Sequence, residues 1–370
     1  MITKTAGRIA AKLAIVAATL LPLQQAQACT SFLLKSVDGG YTYGRTLEFG
    51  LPLQSQLIVV PRQFALTGTG PDGKAGTGLP WTVKYGAVGA NAFGLPVLVD
   101  GMNEAGLVGG MLYLPGLALY QDVPAAEART SIAAHELLTY LLTSFATVAE
   151  VKAGLPKIKV NRAILAQLKM ATPMHITLHD AGGASLVIEY TGGVLHMHDN
   201  PTTILTNAPT FDWHVTSLSN YLGLSPFNPD PVKIGALTLS PPSTGAGAAG
   251  MPGDMSSPSR FIRAFLYWRA APEQKTSAET VDIAFHILNN FDIPPGIIRT
   301  SADAAAGGGV SAIETTEWTS VADLKTKRYY LRTYGNSQTR VLDLAKANFD
   351  AKEVKSFSID GPPAFIDVLK

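Results

Sequence analysis

The chain has 370 residues, 29 basic and 28 acidic, for a formal net charge of +1. That balance argues against nucleic acid as the main partner, because neutralising phosphates requires a concentrated basic face. Charged residues make up 15% of the chain, below the roughly 25% usual in soluble domains, which leaves room for large buried elements.

In chain order, the first feature is a leader. Lys4, Arg8 and Lys12 form a basic region with no acidic residue, Leu13 to Leu23 is apolar, and Ala26-Gln27-Ala28 has the small-x-small pattern of a cleavage site. The apolar run is shorter than the roughly 20 residues that span a bilayer. Residues 1–28 therefore read as a signal peptide cut between Ala28 and Cys29. The remainder, 29–370, is expected to be one periplasmic or secreted domain without stable membrane anchoring. Without the three leader cations, 26 basic residues face 28 acidic ones, a formal charge of −2. Cys29 is the only cysteine, so no internal disulfide can form, and a leftover cysteine in an exported chain signals intermolecular pairing or a reactive thiol. As a new N-terminus, Cys29 would carry thiol and α-amine on one residue, a nucleophile with its own base. An alternative of another class is an envelope lipoprotein or binding protein acylated at Cys29. Lipoprotein signals usually place an aliphatic residue three positions before the cysteine, where Ala26 stands here.

The mature chain opens with strands at 30–36 and 41–45 around the turn Asp38-Gly39-Gly40. Further strands are expected at Gln56 to Pro61, at 95–100 and at Leu107 to Leu114, the last two joined at Asn103-Glu104-Ala105-Gly106. Apolar spacing predicts a helix from Ser131 to Leu142 and a short one from Val148. A meander follows, with strands at His175 to Asp180, Ser185 to Tyr190, Val194 to His198 and Thr202 to Thr206. Ser257-Pro258 opens a helix running to about Ala270, and Thr276 with Glu279 forms a capping box for another. Late strands are expected at Ala312 to Ser320 and Arg328 to Tyr334, and loops at 241–253 and 302–309. This order suggests packed sheets with helices outside.

Several motifs carry little. Gly68-Thr-Gly70-Pro-Asp-Gly73 and Gly245-Ala-Gly247-Ala-Ala-Gly250 match dinucleotide-loop spacing, but neither opens a helix after a strand. His196 and His198 share a strand face without a third ligand, so no metal and no cofactor is expected. Three residues carry more. Arg45 ends the strand paired with the one that begins at Cys29, and a guanidinium there would favour thiolate; a surface arginine at a strand end reads equally well. Asn207 follows an apolar strand and precedes Ala208-Pro209, which also suits an ordinary turn asparagine. Arg260 lies in a helix's first turn, where a cation opposes the helix dipole.

Cys29-Thr30-Ser31-Phe32, Arg45, Leu205-Thr206-Asn207-Ala208-Pro209-Thr210-Phe211 and Gly253-Asp254-Met255-Ser256-Ser257-Pro258-Ser259-Arg260-Phe261 together resemble the choloylglycine hydrolase family. That family includes penicillin V acylases and conjugated bile salt hydrolases. The resemblance covers 29–345 and implies an α+β fold, the four-layer αββα N-terminal-nucleophile (Ntn) hydrolase architecture. It implies hydrolysis of the linear amides of small N-acyl substrates, and a homo-oligomer, tetrameric as in the family. By the same resemblance Cys29 matches the nucleophile, Arg45 the arginine beside the thiol, Asn207 the oxyanion donor and Arg260 the arginine close to the nucleophile. Tyr113 falls where penicillin V acylases carry tyrosine and bile salt hydrolases asparagine, and its backbone N–H is expected in the oxyanion hole. Glu48 replaces the aspartate that orients the α-amine, and its extra methylene requires that contact to be rebuilt. The leader places the chain with the exported Gram-negative branch, some of whose members are similar to acyl-homoserine lactone acylases. A bile salt hydrolase is the alternative.

Overall fold

The structure, a computed structural model, describes residues 28–299, 313–363 and 365–369. Residues 1–27 of the expected leader and the expected 302–309 loop lie outside the described residues.

β1 (Cys29–Lys35) and β2 (Tyr41–Phe49) form the first hairpin. Its turn is set by Asp38, whose Oδ1 accepts from Ser36 Oγ at 2.6 Å and from the Gly40 N–H at 3.0 Å, while Gly39 takes a φ of +77° that costs glycine nothing. The register places Cys29 opposite Leu47 and Ser31 opposite Arg45. β2 then pairs with the long strand Ile313–Asp323, which continues through Arg328–Thr333 to Arg340–Asp343, and the short strand Ile298–Arg299 flanks it to complete six strands. A second, eight-stranded sheet runs in the order 194–199, 185–191, 174–179, 108–113, 100–103, 87–90, 56–60 and 355–358.

Five helices complete the described fold: α1 (Leu137–Ser144), α2 (Val148–Gly154), α3 (Phe211–Ser217), α4 (Ser257–Ala270) and α5 (Ser277–Leu288). α4 and α5 cover the outer face of the first sheet, and α1 covers that of the second. The order is helix, sheet, sheet, helix, as expected. Leu138, Leu141 and Leu142 on α1 are fully buried against Ile176, Leu178 and their neighbours, each worth about 1.5–3 kcal/mol. Phe32, Tyr43, Phe261 and Leu288 fill the other core. Thr276 caps α5 as read, accepting from the Glu279 N–H at 3.2 Å while the Glu279 carboxylate returns to the Thr276 N–H at 3.2 Å.

Three expected elements differ. The strand expected at 95–100 begins only at Asp100; 95–99 is a loop around Pro96, tied back by Asn91 Nδ2 to the Leu95 carbonyl at 2.9 Å. The helix expected from Ser131 starts at Leu137, because Ser131–Ala133 pairs in parallel with Lys159–Asn161. Thr202 to Thr206 is no ladder strand; Leu205 and Ser31 exchange backbone hydrogen bonds of 2.9 and 3.1 Å, stitching this segment to β1. The strand 87–90 and helix α3 were not read from the sequence at all. Ala87–Ala90 lacks β-branched bulk apart from Val88, and α3 is only seven residues long.

Candidate active site

Ala28 is still joined to Cys29 in this structure, so the Cys29 backbone nitrogen is a peptide nitrogen standing where the α-amine of a processed chain would be. Side chains alternate along a strand. Cys29, Arg45 and Leu47 thus face the second sheet, and Thr30 and Glu48 face α4.

On the inner face, Arg45 comes back along the hairpin as its register dictates, with Nη2 3.7 Å from Cys29 Sγ. The same nitrogen donates to the Met111 carbonyl, and Nη1 donates to the Val99 carbonyl at 2.8 Å and to Asp100 Oδ2 at 3.3 Å. The guanidinium lies over the Trp318 ring at 5.3 Å. Burial opposes its charge, but Cys29, Asp100 and Tyr43 more than offset this and raise its pKa. Asp100 is saturated in turn: Tyr43 Oη, Tyr329 Oη and Ser320 Oγ donate to it at 2.8, 2.6 and 2.9 Å.

On the outer face, Arg260 reaches over β1 from the first turn of α4. It donates to the Cys29 carbonyl, to Thr30 Oγ1 at 2.8 Å and to Asn207 Oδ1 at 2.8 Å. Its position is explained by these acceptors and not by the helix. Asn207 Oδ1 also accepts from the Cys29 backbone N–H, and its Nδ2 donates to the Tyr113 carbonyl at 3.0 Å. Those partners fix which way the amide points. In an extended residue the N–H and C=O project to the same side, so the Tyr113 N–H faces the Asn207 amide. The Asn207 amide thus links the Tyr113 backbone to the Cys29 nitrogen. The Tyr113 ring packs edge-on against Phe49 at 6.3 Å, and burial pushes its hydroxyl up to about 12.

Glu48 is 1% exposed and accepts from Thr316 Oγ1 at 3.1 Å, while its second oxygen has no partner. Burial raises its pKa to about 8 against the pull of Arg260. Glu314 lies two residues before Thr316 on the same strand and is also 1% exposed, and both of its carboxylate oxygens lack a hydrogen-bond partner. Burial likewise raises it to about 8, with Arg260 again opposing.

Two openings flank Cys29. One is a narrow apolar pocket of about 50 Å³ walled by Phe49, Leu53, Val97, Met111, Leu168 and Met174. The other is an open cleft of about 700 Å³ bordered by Ala28, Asn207, Arg260, Arg299, Glu314 and Asp254.

Sequence reading missed the web that holds Asn207. His175 bridges Glu189 Oε1 at 2.9 Å and the Thr206 carbonyl at 2.8 Å, and Glu189 also accepts from the Phe211 N–H at 3.0 Å. His214 Nε2 donates to the Asn207 carbonyl at 2.9 Å, its ring stacked on Phe261 at 4.7 Å. Burial lowers its pKa to about 4, which keeps it neutral. Ser257 Oγ accepts from the Asn207 N–H at 2.9 Å. These residues lie 7 to 50 positions from the atoms they hold, and only the Ser257 helix start marked any of them. His196 and His198 stack on each other at 6.2 Å.

Residues 29–357 match the family model described as "Linear amide C-N hydrolases, choloylglycine hydrolase family". A bile salt hydrolase/transferase of Clostridium perfringens is 32% identical over 334 residues, covering 89% of this chain and 96% of the relative. A penicillin V acylase of Pectobacterium atrosepticum is 27% identical over 359 residues, covering 91% and 86%. The solved conjugated bile acid hydrolase of Clostridium perfringens superposes with a TM-score of 0.79 at 31% identity, covering 92% of this chain and 99% of that one. The penicillin V acylase of Agrobacterium tumefaciens shares the fold with a TM-score of 0.72 at 24% identity, covering 89% and 91%. The four layers are those of an Ntn hydrolase, and the chain belongs to the choloylglycine hydrolase family, whose members hydrolyse linear amide C–N bonds.

Proposed function

We propose that this is an exported acylase that becomes active when residues 1–28 are removed, and that Cys29 then cleaves N-acyl amides with slender apolar acyl groups. The observation that carries this reading is the convergence of Arg45, Asn207 and Arg260 on Cys29 at the mouth of an apolar pocket. A free α-amine, with an ordinary pKa near 7.7–8.0, takes the thiol proton, and Sγ attacks the amide carbonyl. Asn207 Nδ2 and the Tyr113 N–H receive the oxyanion, and each such donor is worth roughly 10²–10³ in rate. The ammonium returns the proton to the departing nitrogen, and water then resolves the thioester. Arg45 supplies a fixed positive charge beside the sulfur throughout.

The acyl side favours a penicillin V or acyl-homoserine lactone type of substrate. The pocket beside Cys29 is narrow and apolar, about 50 Å³ as the walls stand, a shape that suits a slender acyl group better than a rigid steroid. A second cavity of about 330 Å³ shares Leu95, Val97, His135 and Leu165 with the first, in line for a longer chain. Tyr113 points the same way by the resemblance. The similarity to bile salt hydrolases supports the second reading, a conjugated bile salt hydrolase. Turnover of penicillin V, N-decanoyl-homoserine lactone and glycocholate by the processed protein separates the two. A glycocholate rate above the others would reverse the preference. Cys29→Ser is expected to remove turnover of every substrate and keep the fold; full residual activity would refute the mechanism.

Export and cleavage at Ala28–Cys29 are part of this proposal. Among the described residues no helix is long and apolar enough to cross a membrane. A mature mass beginning at unmodified Cys29 supports the proposal; an added diacylglycerol would favour a lipoprotein. Cys29 is 4% exposed within β1, a poor place for a lipid. We also propose a homo-oligomer, with the exposed Val232, Ile234, Leu237 and Leu239 of the hairpin at 232–239 as its contact; light scattering reads the assembly directly.

A further inference from the structure

Glu314 is a buried carboxylate with no partner on either oxygen. An unpaired buried charge is costly and calls for either a proton or a counter-ion. Its surroundings point to the cation it would pair with. Glu48 lies directly across the ladder from Ala28, whose carbonyl accepts from the Glu48 N–H at 3.0 Å. Thr316 lies across from Glu48, and Glu314 is the next residue of that strand on the same face. Glu314 and Ala28 border the same cleft. When Ala28 departs, the space opposite these two acids receives an α-ammonium with three N–H donors. Asn207 Oδ1, already the acceptor of the Cys29 backbone N–H, takes one of them.

We propose that Glu314 is the positioning residue that holds the α-amine of processed Cys29 from the cleft side, taking over part of the duty of Glu48, whose Oε1 is committed to Thr316. The inference rests on the reading that Cys29 becomes the N-terminus. It gives the site a carboxylate that folding leaves bare and proteolysis completes. The charged neighbours are Glu48 from β2, Arg260 from α4 with Arg263 one turn further along it, Asp254 from the loop before α4, and Arg299 from the adjoining short strand; the Cys29 thiol also acts on Arg260. Arg260 is committed to the Cys29 carbonyl, Thr30 and Asn207. Arg263 donates to the Pro252 and Asp254 carbonyls and Arg299 to that of Gly296. None of the three pairs with Glu314.

The sign of the effect follows. A carboxylate beside the ammonium raises the amine pKa, and the amine must be neutral to accept the thiol proton. Glu314→Gln should therefore move the acid limb of the kcat/KM profile to lower pH by about one unit, the scale of a close opposite charge. Glu314→Asp should move it less. Full-length chain would be expressed with its leader, the purified N-terminus confirmed as Cys29 by intact mass, and the profile read on penicillin V. Reductive methylation of the α-amine as a function of pH would read the same shift without catalysis, so a poorly active variant still gives an answer. An unchanged limb and unchanged amine titration in a processed, active Glu314→Gln enzyme overturn this inference alone. The same result together with a shifted limb in Glu48→Gln assigns the duty to Glu48. A mature chain beginning at another residue overturns both this inference and the reading beneath it.

Discussion

Asp100 and Glu314 are both fully buried carboxylates within reach of an active-site arginine, yet they are treated in opposite ways. Asp100 takes hydrogen bonds from Tyr43, Ser320 and Tyr329 and pairs with Arg45 at 3.3 Å. Glu314 takes none. The inner face of the first sheet is thus complete when the chain folds, and the outer face is left with carboxyl oxygens that have no hydrogen-bond partner. Folding prepares the electrostatics around sulfur. The end of β1, where the proposed cleavage would free a nitrogen, is left unfinished.

Perturbing the finished side should cost stability first. Asp100→Ala leaves the Arg45 guanidinium buried without its counter-ion, and breaking such a pair typically costs about 3–5 kcal/mol. Urea unfolding should show that loss; a change under about 1 kcal/mol would mean Arg45 is neutralised elsewhere. On the unfinished side the cost should fall on rate. Asn207→Ala is expected to lower kcat by roughly 10²–10³ with a smaller change in KM. A KM effect alone would make Asn207 a binding group and remove it from the oxyanion hole. Ser257→Ala strips the Asn207 N–H of its acceptor, a loss of about 1–3 kcal/mol that stopped-flow acylation and thermal melting would divide between rate and stability. Thr276→Ala sets the baseline, since it removes the α5 cap for about 1 kcal/mol and should leave turnover unchanged.

What could be read in advance divides along similar lines. The β1–β2 hairpin follows from Asp38-Gly39-Gly40, and period-two pairing then carries Arg45 back to Cys29. The α5 start follows from Thr276 and Glu279. Each of these rests on residues near one another in the chain. Asp100 gave no such signal: it read only as the end of an expected strand at 95–100, and its partners Ser320 and Tyr329 lie more than 200 positions away. Glu314 was equally silent, because a charge inside a late strand ordinarily faces water. Only the sheet order, with Ile313–Asp323 beside β2, buries it. The helix expected from Ser131 failed for a related reason. Its apolar spacing suits a helix, but a parallel partner at Lys159–Asn161 claims the first three residues.

That the chain contains a single sulfhydryl, at Cys29, makes its chemistry countable. A thiol-specific reagent applied to native enzyme has no competing target, so moles of label per mole of chain measure the fraction of competent centres in any preparation. If residues 1–28 are removed as proposed, slow labelling before that step and fast labelling after it would make the reaction a stoichiometric clock.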